Sequence, residues 1–195
     1  MSKMRSAASA ATLILLTACA TTQPVTSPAP RAVYTSHEKV EMSLCMSMSV
    51  NAHSIAVHKL AGTPAATLKA HYLSQLDPAK GRLMAGEVDT IYAATFTDPF
   101  AYTASFFREC ALHVVAIPED RSKPAAFCAL NAVIGDIAAE DKQAGQPRSV
   151  PYAYFAPLHS KTPDEIIDRV YAESMRTAAV PLSVWNSCMA PITGR

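Results

Sequence analysis

Residues 45–64 read CMSMSVNAHSIAVHKLAGTP, and residues 128–147 read CALNAVIGDIAAEDKQAGQP. Each stretch opens on a cysteine, continues as a helical run and ends on Gly-x-Pro. The cysteine-to-glycine interval is 17 residues both times, from Cys45 to Gly62 and from Cys128 to Gly145. The pattern continues downstream. Val88-Asp89-Thr90-Ile91-Tyr92 and Ile167-Asp168-Arg169-Val170-Tyr171 share the order β-branched, Asp, any residue, β-branched, Tyr. Each half then closes on a second cysteine, Cys110 lying 18 residues after Tyr92 and Cys188 lying 17 after Tyr171. Ordered landmarks at matching intervals mark an internal repeat. The sequence therefore predicts an all-α protein made of two tandem helical units, residues 35–117 and residues 118–195.

Local signals place the helices. Thr35 with Glu38 forms a capping box, and Cys45, Met48, Ala52, Ile55 and Ala56 recur at helical spacing; together they predict a helix from Ser36 to Leu60. Gly62 stops it. Thr63 is expected to cap a second helix, Pro64 to Leu76, with the proline in its first turn. A third helix from Ala79 to Ala94 turns Met84, Val88, Ile91 and Tyr92 inward. Asp98-Pro99 opens a fourth, with Phe100, Phe107, Cys110 and Val114 on one face. Residues 117–123 read as the joint, and the second unit opens near Pro124. Thr162-Pro163-Asp164-Glu165, read as a Thr cap, a first-turn proline and two acids, starts a helix holding Ile166, Ile167, Val170 and Tyr171. A last helix from near Pro181 carries Leu182, Trp185 and Cys188. One segment breaks the parallel. Pro147 to His159 contains Pro147, Pro151 and Pro157 around Tyr152, Tyr154 and Phe155, which predicts an extended or irregular segment displaying aromatics.

Four cysteines in the body of an exported chain read as disulfides. Four cysteines allow three pairings. The repeat favours Cys45–Cys110 and Cys128–Cys188, one staple per unit; Cys110–Cys128 with Cys45–Cys188 stays open as the alternative. Each favoured bridge closes a loop that stabilises by about 4 kcal/mol in the chain-entropy account.

At the N-terminus, Lys3 and Arg5 precede an apolar run from Ala7 to Leu16, short for a membrane span and of signal-peptide length. Leu16-Thr17-Ala18-Cys19 follows. This resembles the lipobox of bacterial lipoproteins. The resemblance implies a signal peptide over residues 1–18 and a Cys19 that carries acyl chains such as palmitate. Each buried methylene contributes about 0.8 kcal/mol to membrane residence, so two or three chains hold the bilayer firmly. Ala20 stands where an Asp would favour inner-membrane retention, which implies the inner leaflet of the outer membrane, facing the periplasm. Residues 19–34, rich in Pro and Thr, read as a tether.

The chemistry-bearing motifs are few. The formal net charge is +1 and no run of Lys and Arg occurs, so no nucleic-acid partner is expected. No Gly-x-Ser-x-Gly, His-Glu-x-x-His or phosphate-cradling glycine loop is present. Met42, Cys45, Met46, Met48 and His53 are soft-ligand types that suit copper(I), but methionines at helical spacing read as core packing. His53 and His58 fall off one face. The acid pairs Glu140-Asp141 and Asp164-Glu165 sit near helix ends and read as solvated. The expectation is thus a non-enzymatic module without catalytic, cofactor or metal residues, which binds or assembles an envelope protein or peptide. Its candidate contact residues are Tyr152, Tyr154 and Phe155, with Tyr92 and Tyr171 lining a pair of equivalent grooves. Two alternatives remain: a structural or stress-related envelope lipoprotein, and a small-molecule or metal carrier.

Overall fold

Thr35 Oγ1 accepts from the Glu38 amide at 3.1 Å, and the Glu38 carboxylate accepts from the Thr35 amide at 2.8 Å. Two otherwise orphaned amides are satisfied reciprocally, and α1, Ser36–Leu60, starts there. The computed structural model describes residues 34–158 and 160–193. Cys19, the expected signal peptide and the tether as far as residue 33 lie outside the described residues.

After α1 come α2 (Ala65–Gln75), α3 (Pro78–Ala93) and α4 (Pro99–His113). Then follow α5 (Glu119–Gln143), α6 (Ser149–Phe155), α7 (Lys161–Ala172) and α8 (Val180–Met189). Three short 3-10 turns, at Ala156–Leu158, Thr177–Ala179 and Ala190–Ile192, complete the described helical structure, and the protein is all-α. The two ends of the body meet where the Tyr34 amide donates to the Ile192 carbonyl at 3.1 Å.

The helix starts follow the Asp-Pro signals. Asp77 and Asp98 each accept from two amides of the first turn of α3 and α4, with proline at the first position. Two caps differ from expectation. Thr63 does not cap α2: Pro64 holds that place in extended backbone without a side-chain bond, because its own carbonyl accepts from Thr67 and Leu68. Ser160, not Thr162, caps α7, its Oγ accepting from the Thr162 amide at 3.3 Å. Pro163 then falls third in the helix, where an amide has no intrahelical acceptor to reach.

Two larger expectations are corrected. The joint is shorter than residues 117–123, because α5 already begins at Glu119 and Pro124 lies inside it. Glu119 and Asp120 favour that start electrostatically, and the Ser122 amide closes on the Pro118 carbonyl at 2.9 Å. Pro124 removes one amide from that turn, and the Tyr34 hydroxyl donates into it, to the Arg121 carbonyl. The remaining link is tight. Ala116 adopts φ 60°, and the Ile117 amide reaches back to the Ala111 carbonyl at 2.9 Å, so that Ile117 is buried. Val114, expected on the inward face, ends α4 exposed.

The proline-rich segment is helical over residues 149–158, not extended, with Pro147 ahead of the helix. Pro151 is the third residue of α6, and Pro157 falls in the 3-10 turn after it. Proline disrupts a helix through its interior amide, and neither residue occupies an interior position.

The core has three parts. A central cluster draws on both halves: Met42, Cys45, Met46, Phe107 and Cys110 meet Ala125, Cys128, Ala129, Trp185 and Met189. A second cluster joins α1 to α2 and α3 through Ala52, Ile55, Ala56, Leu68, Met84, Val88 and Ile91. A third does the same for α5 to α8, through Ile134, Ala138, Ala139, Phe155, Ile167, Val170 and Val184. The disulfides are Cys45–Cys110 and Cys128–Cys188, with Cα atoms 5.6 and 5.5 Å apart. Each ties the first helix of its half to the last, and both sit at the central cluster.

Candidate functional site

The same small bonds recur in both halves. Gly62 and Gly145 end the long helices with φ +80° and +73°, a backbone that a Cβ would strain. The Tyr92 hydroxyl donates to the Thr63 carbonyl at 2.6 Å, and the Tyr171 hydroxyl to the Gln146 carbonyl at 3.0 Å. Lys59 Nζ donates to the Ile91 and Ala94 carbonyls. Lys142 Nζ donates to the Val170 and Glu173 carbonyls at 2.8 and 2.6 Å. Each ammonium thereby caps the negative end of the third helix of its half. Asp89 on α3 pairs with Lys69 on α2, and Asp168 on α7 pairs with Arg148, at 2.7 and 2.9 Å. These ties lock the third helix of each half onto the C-terminal end of its long helix.

With those helices held back, α1 and α5 share an open cleft of about 360 Å³, closed on one side by α6. Its walls are matched pairs 83 residues apart: Val50 with Val133, His53 with Asp136, Val57 with Glu140, His58 with Asp141. The α1 wall carries two histidines where the α5 wall carries carboxylates. Val150 and Tyr154 of α6 complete the lining, without counterparts from α2. The two walls thus draw on positions 83 residues apart in sequence and differ in chemistry.

His53 is 3% exposed. The Thr103 hydroxyl spends its one hydrogen on the Pro99 carbonyl at 2.7 Å, so it accepts from His53 Nδ1 at 3.1 Å. The ring therefore carries its proton on Nδ1, and Nε2 is an acceptor with no partner. Burial pushes its pKa down to about 4, so the ring is neutral at pH 7. Asp136 is pushed the other way, up to about 6, by burial and then by the neighbouring Glu140. Burial also raises Asp141. Among the described residues no cation pairs with Asp136, Glu140 or Asp141. Lys142, next in sequence, is spent on its two carbonyls.

The candidate contact residues scatter. Tyr154 lines the cleft, 45% exposed. Tyr152 donates to Asp168 and lines a separate hollow between α6 and α7. Phe155 is buried, its ring 5.8 Å from that of Phe100. Tyr92 and Tyr171 are tied to carbonyls rather than presented to a groove. Two other grooves draw on positions that the recurring sequence pattern sets opposite one another. Met48, Leu83, Glu87 and Phe106 line one, and their counterparts Asn131, Thr162, Ile166 and Val184 line the other. The first buries Glu87 Oε1 without a partner and lifts its pKa to about 7 by burial.

Sequence reading weighed His53 as a soft ligand and Glu140-Asp141 as a solvated pair, assigned neither to a site, and did not single out Asp136. The signal was present in the recurring pattern, since aligning Cys45 with Cys128 sets His53 opposite Asp136 and His58 opposite Asp141. The chain matches no protein-family model, no curated protein and no solved structure.

Proposed function

We propose that this protein is a lipid-anchored binding module of the bacterial envelope that holds a protein or peptide partner in the cleft between α1 and α5. It is non-enzymatic on this reading, and its two halves are copies of one helical unit. The observation that carries the reading is the cleft: valines and Tyr154 in its wall, three carboxylates that pair with no cation among the described residues, and a volume at the lower end of ligand sites, about 300–1,000 Å³. The tight ties elsewhere leave this face preformed, and a preformed site loses less ordering entropy on binding. The address rests on Leu16-Thr17-Ala18-Cys19 and its resemblance to a lipobox. Acylated Cys19 would place the protein on the inner leaflet of the outer membrane, with the body facing the periplasm.

Two measurements test this. Mass spectrometry of the mature N-terminus is expected to find acyl chains on Cys19, and Cys19→Ser to release the protein from membranes. An unmodified Cys19 removes the anchor from the proposal. A photocrosslinking amino acid at Val57 is expected to give one defined envelope adduct that the same group at Leu112, an exposed position on α4, does not give. Equal labelling from both positions, or none from Val57, removes the cleft as the binding site.

A further inference from the structure

We infer that the α1–α5 cleft recognises a basic side chain of a polypeptide partner, seating an Arg or Lys head among Asp136, Glu140 and Asp141 with its alkyl stem against the cleft valines. This rests on the proposed binding role and names the chemistry of the partner. Charge complementarity is the first argument. The three carboxylates line one cleft, and among the described residues no Lys or Arg lines it with them. Asp136 is desolvated and lies beside the charge of Glu140, and Asp141 is partly desolvated, so a cation entering among them relieves both repulsion and burial cost. The second argument is independent of the acids. His53 lines the same cleft, 3% exposed, with Nε2 an acceptor that lacks a donor. An ammonium or guanidinium is donor-only, which is what an unpartnered acceptor and three carboxylates have in common.

The geometry favours an organic cation over a metal ion. Among the described residues no three His, Cys, Asp or Glu side chains converge on one point. A spread of acceptors along α5, at positions 136, 140 and 141, suits the several N–H groups of a long side chain better than one coordination centre. Exposed Val150 and Tyr154 at the margin give a polypeptide's neighbouring apolar residues a surface to cover. A free small amine would leave that surface bare.

The test uses the full chain in detergent and fluorescein-labelled peptides of the form Ala-Leu-X-Leu-Ala, with X as Arg, Lys, Gln or Glu. Anisotropy titrations are expected to show the Arg and Lys peptides binding at least tenfold more tightly than the Gln peptide, and the Glu peptide more weakly still. Added salt should weaken the Arg peptide and leave the Gln peptide nearly unchanged. The triple variant Asp136→Asn, Glu140→Gln, Asp141→Asn, checked for helicity by circular dichroism, should bind Arg and Gln peptides alike. Equal affinity of Arg and Gln peptides for the native chain would overturn the inference while leaving the binding role standing. So would a triple variant that keeps its Arg preference. If n-butylguanidinium binds as tightly as the Arg peptide, the site takes a small amine and the polypeptide claim fails. No binding by any peptide at millimolar concentration would overturn the binding role as well.

Discussion

His53 on α1 and Asp136 on α5 hold matching places in the two halves, 83 residues apart, and line one cleft with their pKa values displaced in opposite directions. Burial is the leading cause for both: it disfavours whichever form is charged, so the base is lowered and the acid raised.

The histidine makes folding sensitive to acid. Unfolded, His53 takes up a proton near 6.5; folded, near 4. Its contribution to stability is complete above 6.5 and is lost as the pH falls through that window to 4, by about 3 kcal/mol on the linkage relation. Asp136 and Glu87, whose folded values are raised, act in the reverse sense. Urea midpoints of the native chain and His53→Gln at pH 7.5 and pH 4 isolate the histidine, since the opposing acids cancel in the comparison. The gap between native and variant should narrow at low pH. A gap independent of pH would refute a buried neutral ring.

Glu87 should weaken the fold at neutral pH. Its folded pKa is about 7 and its unfolded value near 4.5, so stability present below the unfolded value is lost as pH rises through 7. Glu87→Gln is expected to stabilise by about 1–3 kcal/mol at pH 8 and by little at pH 4. Replacement by Ile, the residue at the matching position 166, should keep the gain. Thermal melts at the two pH values decide it.

The tyrosine ties predict matched losses. Tyr92→Phe and Tyr171→Phe each remove one hydrogen bond to a carbonyl, at a cost of about 1 kcal/mol apiece. Lys59→Met and Lys142→Met each remove a charged donor from two carbonyls and should cost about 1.5–3 kcal/mol. Denaturant midpoints for the four variants should group by residue type and not by half.

Reduction should be costly in equal measure at both bridges. Their sequence separations are 65 and 60 residues, so each Cys-to-Ala pair is expected to lose about 4 kcal/mol. Calorimetry of the Cys45/Cys110 and Cys128/Cys188 double variants tests this, and a loss confined to one pair would contradict it.

Gly135 inverts an ordinary rule. Inside a helix, Gly to Ala usually gains about 1 kcal/mol, and the matching position in α1 is Ala52. Yet a Cβ at residue 135 would lie 2.7 Å from Val184 Cγ2 and 3.3 Å from Val180 Cγ1. Gly135→Ala should therefore cost about 1–3 kcal/mol through overpacking. Adding Val184→Ala should recover part of that loss, as a double-mutant cycle would show.

Much of this architecture was written locally. Thr35 with Glu38 bounds α1, Asp77 and Asp98 start α3 and α4, and the positive-φ glycines at 62 and 145 end the long helices. Such signals work because a cap or a turn is satisfied by atoms a few residues away. The cysteine pairing was favoured for another reason: of the three pairings, only Cys45–Cys110 with Cys128–Cys188 keeps each bridge inside one occurrence of the recurring pattern. What the chain could not state by itself was which side chains meet across long intervals. Proline in the first turn of α6 looks the same in sequence as proline in its interior, and only the helix start distinguishes them. Glu140 stays exposed, as its place near a helix end suggests, whereas burial raises Asp136 and Asp141 only once α1 and α6 are packed beside α5. His53 reads as one scattered histidine until Thr103, 50 residues on, claims Nδ1 and leaves Nε2 bare. Local signals determined most elements, and the recurring pattern pointed to the staples, because a cap or a turn is a short-range choice. The cleft was decided by packing: the acids of α5 are neighbours on one helix, but their desolvation and the wall facing them exist only once α1 and α6 lie against it.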